Sequence, residues 1–285
     1  MILKNWSVRM GGIALLFLVL ASLAAPWLGT VDPTLFDAAS RDLRPGESGE
    51  IMTLEGESLK HRFVMGSDSF GRDIYSRVVY GARVSLLVGI ASALLALVFG
   101  IVFGLSAGYL RRLDGPLMRV MDGLMAIPAI LLAITLVALW RASILTVVLA
   151  IAITEIPRVT RLVRSLVLSI REEPYVEAAI SLGTPTWKIM FGHILPNCIA
   201  PLLVQGTYIC ASAILVEAIL SFLGVGLPPD IPTWGNIMAE GRVQFVSYPH
   251  NVFYPGVFLA ITVLAVNILG DGLRDTLDPK MAKRV

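Results

Sequence analysis

From Met10 to Val31 the chain carries no charged residue, with Arg9 and Asp32 closing the run on either side. A bilayer core takes about 20 apolar residues per helix, so this run predicts a first membrane span. The second prediction is Val84 to Leu110, again without a charge, and the third covers 117–140 with an apolar core from Gly123 to Trp140. The fourth, about 143–164, is weaker, because after the uncharged stretch from Ala142 to Thr154 come Glu155, Arg158, Arg161 and Arg164. A fifth span at 199–225 holds a single charge, Glu217, and a sixth runs over 252–270. The expected fold class is an all-α membrane protein of six helices. Lys4, Arg9 and the SLAAP stretch imitate a cleaved signal peptide, but the apolar run is long for one and reads as an uncleaved anchor.

Lysine and arginine in the short connections set the orientation. Lys4 and Arg9, then Arg111, Arg112 and Arg119, then Arg158, Arg161, Arg164, Arg171 and Lys188, and finally Arg274, Lys280, Lys283 and Arg284 fall on one side if there are six spans. The other side holds Arg141, the 226–251 stretch with Arg242, and the 32–83 segment, whose arginines are balanced by nine Asp and Glu. Both termini are therefore expected in the cytoplasm. The chain divides into residues 1–31 (stub and first helix), 32–83 (an extracytoplasmic segment), 84–272 (a five-helix core) and 273–285 (a cytoplasmic tail).

Composition agrees: 56% of the 285 residues are hydrophobic and 15% charged, against about 25% charged in soluble domains, and the mean hydropathy is +0.76. A formal charge of +2 gives no reason to expect a nucleic-acid partner. Cys198 and Cys210 lie twelve residues apart, about 18 Å along a helix, too far for a disulfide. The histidines His61, His193 and His250 sit in no HExxH or GxSxG pattern and no Cys/His metal cluster, and there is no GxxxxGK[ST] loop. Energy for any transport must then come from a partner or an ion gradient. The bilayer midplane is nearly bare of the ionisable pairs that ion-coupled transporters use. Glu217 is the exception, with two readings open: a carboxylate hydrogen-bonded to a neighbouring helix, or one lining a path or gate together with Ser221. Pro128, Pro157, Pro196 and Pro201 predict kinks. Gly89, Gly100, Gly104 and Gly108 lie on the second helix, the last three spaced by four as in a close-packing seam.

Between the fourth and fifth spans the pattern breaks, in YVEAAISLGTPTWKIMFGHILPN at 175–197. Tyr175, Ala178, Ala179 and Leu182 follow helical spacing, Gly183 supplies a stop, and Thr184 with Pro185 predicts the start of a second short helix. Its stripe is Trp187, Met190, Phe191, Ile194 and Leu195, with Pro196 leading into the fifth span. The result is a helix–turn–helix elbow on the cytoplasmic side. It either docks into a groove of a partner protein or rests on lipid headgroups.

Glu177-Ala178-Ala179, then Gly183, then Leu195-Pro196 resembles the EAA loop of ABC importer permeases, here spanning about 171–198, with His193 where that family places Ile. Gly66-Ser67-Asp68-Ser69-Phe70-Gly71-Arg72-Asp73, running on through Arg77 to Arg83, resembles a motif of the dipeptide/oligopeptide/nickel branch, with Ser67 for Thr. So do Leu220–Gly224, Trp234-Gly235 and Gly270–Lys280. The match covers about 60–280 and is closest to the second permease of a peptide importer, the dipeptide permease C type. The resemblance implies a type I importer fold and a transport subunit that is not itself an enzyme. It implies a heterodimer with a homologous second permease and two cytoplasmic ATPases that bind ATP and Mg. It also implies an extracytoplasmic binding protein and a bacterial or archaeal inner membrane. No cofactor or metal is expected in this chain. The resemblance makes Glu177, Ala178, Ala179, Gly183, Pro185, Trp187, Leu195 and Pro196 the coupling residues. It makes Gly66, Asp68, Gly71, Arg72, Asp73, Arg77 and Arg83 an extracytoplasmic motif, in which Asp68, Gly71, Arg72 and Asp73 read as a structured turn rather than a calcium loop. The 32–83 segment as a whole meets the binding protein or the partner permease, or its nine acidic residues simply keep it solvated. Nickel, glutathione or opines are the alternative substrates, and a stand-alone secondary transporter the rival machine.

Overall fold

The computed structural model describes residues 5–52 and 58–277, so Lys4, the tail lysines and arginine, and Asp278-Pro279-Lys280 lie outside the described residues. Among the described residues there are ten α-helices: α1 (Trp6–Leu23), α2 (Ile74–Tyr109), α3 (Arg111–Ala126), α4 (Ala129–Leu139), α5 (Ile144–Ile170), α6 (Pro174–Ser181), α7 (Thr186–Lys188), α8 (Leu195–Phe222), α9 (Trp234–Gly241) and α10 (His250–Leu277). A small antiparallel hairpin pairs β1 (Ser48–Met52) with β2 (Ser58–Arg62) in the stretch between α1 and α2.

Span ends move wherever a charge finds a partner. The first helix stops at Leu23, not Val31, because Pro26 lies in a 3₁₀ turn and the Arg83 guanidinium donates to the carbonyls of Ser22 and Leu23 at 2.6 and 3.1 Å. The second starts at Ile74, not Val84: Asp73 caps it, accepting from the Ser76 amide at 2.9 Å. Arg77 and Arg83, which make this turn look polar in sequence, both find partners within the protein, Arg77 through its two Nη atoms while its buried Nε has none among the described residues.

The third predicted span is broken. α3 and α4 meet at 91°, because Pro128 pushes Ile127 into an extended conformation (φ −92°, ψ 130°). With 11 residues, α4 rises about 16 Å, half a hydrocarbon core. Four helices are long and apolar enough to cross a membrane, and the bent pair makes a fifth if counted as one span. Length and apolarity alone therefore fall short of six. The remaining candidate is α5, whose charged second half is tied to α3: Arg164 chelates Asp114 at 2.5 and 2.7 Å, and Arg161 meets Asp122 at 2.5 Å.

The core is built around α2. Its Gly100, Gly104 and Gly108 lie directly against Val159, Val163 and Val167 of α5, four residues apart on each helix, so glycine concavities receive valine knobs. On another face of α2, Gly89 receives Ile214 of α8. The ends of the chain also meet: a Cβ on Gly11 of α1 would strike the backbone of Ala265 and Leu269 in α10 at 2.7 Å, and one on Gly272 of α10 would strike Val8.

Replacing Gly104 by Leu drives a side chain into Val163, whose Cβ lies 2.5 Å from where the new Cβ would stand. Overpacking of this kind costs about 1–3 kcal/mol. The expected result is a melting midpoint several degrees lower for the purified protein in detergent, whereas Gly115→Ala in α3, with open space around it, leaves the midpoint unchanged or raises it.

Candidate functional site: a helical elbow and an ionic cluster

The elbow forms as two short helices turning at Gly183, which sits at φ +75°, a conformation that glycine adopts without strain. The Gly183 and Thr184 amides donate to the carbonyls of Ile180 and Ala179, closing the end of α6. The cap of the second helix is Pro185, with no side-chain hydrogen bond, so Thr184 does not play the expected role. After Thr186–Lys188 the chain winds as a π-helix over Ile189–Ile194 before α8 begins. That wide turn changes the buried set. Ile189, Met190 and Ile194 pack into the core, while Trp187 and Phe191 from the expected stripe are 61% and 52% exposed.

The first helix is turned in the same sense. Val176 and Ala179 face the protein, and Tyr175, Ala178 and Leu182 face out, Leu182 at 85% exposure. Glu177 is exposed as well. The elbow thus presents an apolar surface ringed by a carboxylate and Lys188, on a scaffold held from behind. Leu195 is half-buried and Pro196 exposed at the first turn of α8. Asn197 donates to the Tyr175 hydroxyl at 3.1 Å, fastening α6 to α8. Burial pushes the Tyr175 phenol above its ordinary pKa, with Glu173 and Cys198 adding to the rise and the Asn197 bond opposing it.

The outer motif assembles into one cluster at the other end of α2. Asp68 accepts from the amides of Phe70 and Arg72 at 2.9 Å each and from Arg72 Nε at 2.7 Å. Gly71 must be glycine twice over, since φ is +80° and a Cβ would collide with the Asp37 carbonyl. Arg72 reaches on to Glu240 of α9. Arg77, 1% exposed, places Nη2 3.3 Å from the same carboxylate and Nη1 3.9 Å from Asp68. Burial pushes the Glu240 carboxyl above the usual range, against the pull of Arg77 and Arg72. Gly66 packs on the His250 ring, and Asp73 lies 3.6 Å from His61. Arg83 alone among the motif residues stands apart, on the end of α1.

Glu217 and Ser221 line no open space within this chain. The Ser221 hydroxyl donates to Glu217 Oε1 at 2.8 Å, Ser85 of α2 lies 3.4 Å from Oε2, and the two residues are 0% and 1% exposed. The geometry is that of a carboxylate hydrogen-bonded between neighbouring helices.

Glu240 is the residue that sequence reasoning missed. Its signal was faint: Trp234, Ile237 and Gly241 mark the buried face of α9, and Glu240 sits one helical step from Ile237. Trp234 anchors that helix, its indole donating to the Val78 carbonyl at 3.1 Å.

Comparison with known proteins follows the same lines. Residues 96–283 match the family described as binding-protein-dependent transport system inner membrane component. A probable peptide ABC transporter permease protein of Sinorhizobium fredii is 49% identical over 277 residues, 97% of this chain and 90% of the relative. A di/tripeptide transport system permease protein of Pseudomonas aeruginosa is 41% identical over 95% of this chain and 88% of its own length. Among solved structures, the MetNI methionine ABC transporter in an inward-facing conformation shares the fold, with TM-score 0.60 at 18% identity over 72% of this chain and 98% of that one.

Removing the Glu240 carboxylate leaves Arg77 buried with only the more distant Asp68 as counter-charge. Breaking a buried pair on one side costs about 3–5 kcal/mol. Glu240→Ala is therefore expected to lower thermal stability strongly, Glu240→Gln less, and Arg77→Leu with Glu240→Leu together less than the sum of the two single changes. A double-mutant cycle in detergent measures this coupling, and strict additivity would remove the pair from the account.

Proposed function

This chain belongs to the family of binding-protein-dependent transport system inner membrane components, and from that premise we propose that it forms half of the translocation pathway of an ATP-driven peptide importer. Most of the relatives are named as peptide, di/tripeptide or oligopeptide permeases, which supports that substrate class over nickel or opines. A glutathione permease of Pectobacterium atrosepticum is 44% identical over 80% of this chain, and glutathione is itself a tripeptide. The other half is a homologous second permease, and a binding protein outside the membrane delivers the substrate. The elbow faces the cytoplasm, where two ATPase subunits hold ATP and Mg and carry out hydrolysis. The membrane is the plasma or inner membrane of a bacterium or archaeon.

The observation that carries this reading is the elbow itself. Its outer face offers Tyr175, Ala178, Leu182 and Trp187 with Glu177 beside them, while its inner face is locked by Val176, Ala179, Ile189 and Ile194. A short helix presenting an apolar stripe suits a groove in a partner. The small Ala178 allows close approach, and Glu177 is free to meet a basic side chain. Because Gly183 fixes the bend and Asn197 binds Tyr175, force on the elbow passes into α8 rather than being lost in a loose loop. Closure of the ATPase pair then draws the elbows together and rocks α5 and α8, exchanging access between the two sides. The glycine–valine seam carries α2 along with them.

Glu177→Lys alters an exposed residue and leaves the core intact. Expected is at least about a tenfold weaker co-purification of the ATPase subunits, equivalent to about 1.4 kcal/mol, with uptake into proteoliposomes reduced in step. Gly183→Pro, which cannot hold φ +75°, is expected to abolish both. Retention of bound ATPase and of uptake in both variants would overturn the coupling role and leave the elbow as a helix resting on headgroups.

A further inference from the structure

Where α5, α8 and α10 diverge beside the elbow, they line a half-open cavity of about 590 Å³, within the roughly 300–1,000 Å³ of small-ligand sites. Leu162 and Leu277 supply apolar walls, and Asn197, Gln205, Tyr208 and Arg274 supply polar groups. We propose that this cavity is a subsite for the transported substrate on its way to the cytoplasm, taking a short peptide by its backbone and its C-terminal carboxylate. The inference rests on the peptide-importer reading and adds to it the residues of this chain that hold the cargo.

The chemistry of the lining points to that ligand. Arg274 stands against the Tyr208 hydroxyl, and Tyr208 in turn donates to Asp271 at 2.5 Å. Among the described residues the guanidinium has no carboxylate partner, so its fork is open to an incoming one, which it can take with two hydrogen bonds. The Gln205 amide is also without a hydrogen-bond partner among the described residues, and it offers one acceptor and a pair of donors, the complement of a peptide group. Asn197 spends its Nδ2 on Tyr175 and the His193 carbonyl, which leaves its Oδ1 as an acceptor for a peptide N–H. The apolar walls accept side chains without choosing among them, as a carrier of varied peptides needs. The Asn197–Tyr175 bond also makes the cavity wall and the elbow one mechanical piece, so elbow displacement changes the shape of the site.

The test uses the assembled importer, both permeases with both ATPases, in proteoliposomes. Its probes are a tripeptide bearing a benzophenone side chain and the C-terminal amide of the same tripeptide. Uptake of the free acid in the presence of the binding protein checks the peptide reading on its own. Irradiation of the nucleotide-free complex, followed by peptide mapping, locates the site. Expected are adducts on α8 between Asn197 and Tyr208, about tenfold fewer with the amide, the difference a charge-assisted hydrogen bond makes. Arg274→Gln should bring the acid down to the level of the amide, and Arg274→Lys should restore part of the difference. Uptake accompanied by adducts only on other surfaces overturns the cavity assignment alone. So does equal labelling by acid and amide in the unmodified complex, a comparison that stands even where Arg274→Gln fails to assemble. Absence of uptake overturns the peptide reading and this inference with it.

Discussion

A guanidinium that is 1% exposed at the membrane-facing end of a long apolar helix is tolerable only if its charge is met. Arg77 sets that condition, and Glu240 and Asp68 meet it. The consequences run through the outer half of the molecule. α9 must lie against the first turns of α2, the loop from Gly66 to Asp73 must fold back over them, and Trp234 must reach the Val78 carbonyl. A buried ion pair adds little stability over an apolar replacement, but it is unforgiving of position. The loop, the start of α2 that follows it and the distant α9 are thereby held in one register, and the polar turn of α2 becomes part of the helix rather than part of the loop before it.

The opposite end of α2 is held chiefly by packing, with one hydrogen bond from the Arg171 guanidinium to the Gly108 carbonyl. There the glycine–valine seam with α5 gives a dry, close contact whose strength lies in fit. Between these two fixings α2 and α5 behave as one body. The elbow hangs from the far side of that body through α8, joined by Ile189, Ile194 and the Asn197–Tyr175 bond. The proposed coupling role needs this division: stiffness along the helix pair, and a protruding elbow whose outward residues Tyr175, Ala178 and Leu182 are exposed.

Much of this was legible in the sequence, and the failures share a cause. Uncharged runs located the long helices because burial in lipid leaves only composition to read, and the spacing of Gly100, Gly104 and Gly108 announced its seam. Gly183 announced its turn. Charges misled where their partners were distant: Arg77 and Arg83 hid the first turns of α2 because Glu240 and the end of α1 cannot be paired with them by eye. The stripe on the second elbow helix was misassigned because a π turn advances fewer degrees per residue than an α turn, which moves Phe191 outward and Ile189 inward. The break at Pro128 was visible as a kink but not as a right angle, since its size depends on where α5 pins α3. Of the two readings open for Glu217, the hydrogen-bonded carboxylate is the one that its contacts with Ser221 and Ser85 match.

The closing of α1 by Arg83 has a bearing on how the protein is made. The carbonyls of Ser22 and Leu23 wait for a donor about sixty residues downstream, and the grooves at Gly11 and Gly272 bring the first helix against the last. During synthesis, then, α1 enters the membrane with its outer end unsealed and one flank bare. The end is sealed when α2 arrives, and the flank is covered only when α10, at the far end of the chain, has been inserted. A helix made before α2 and α10 is thus among the last to reach its final place.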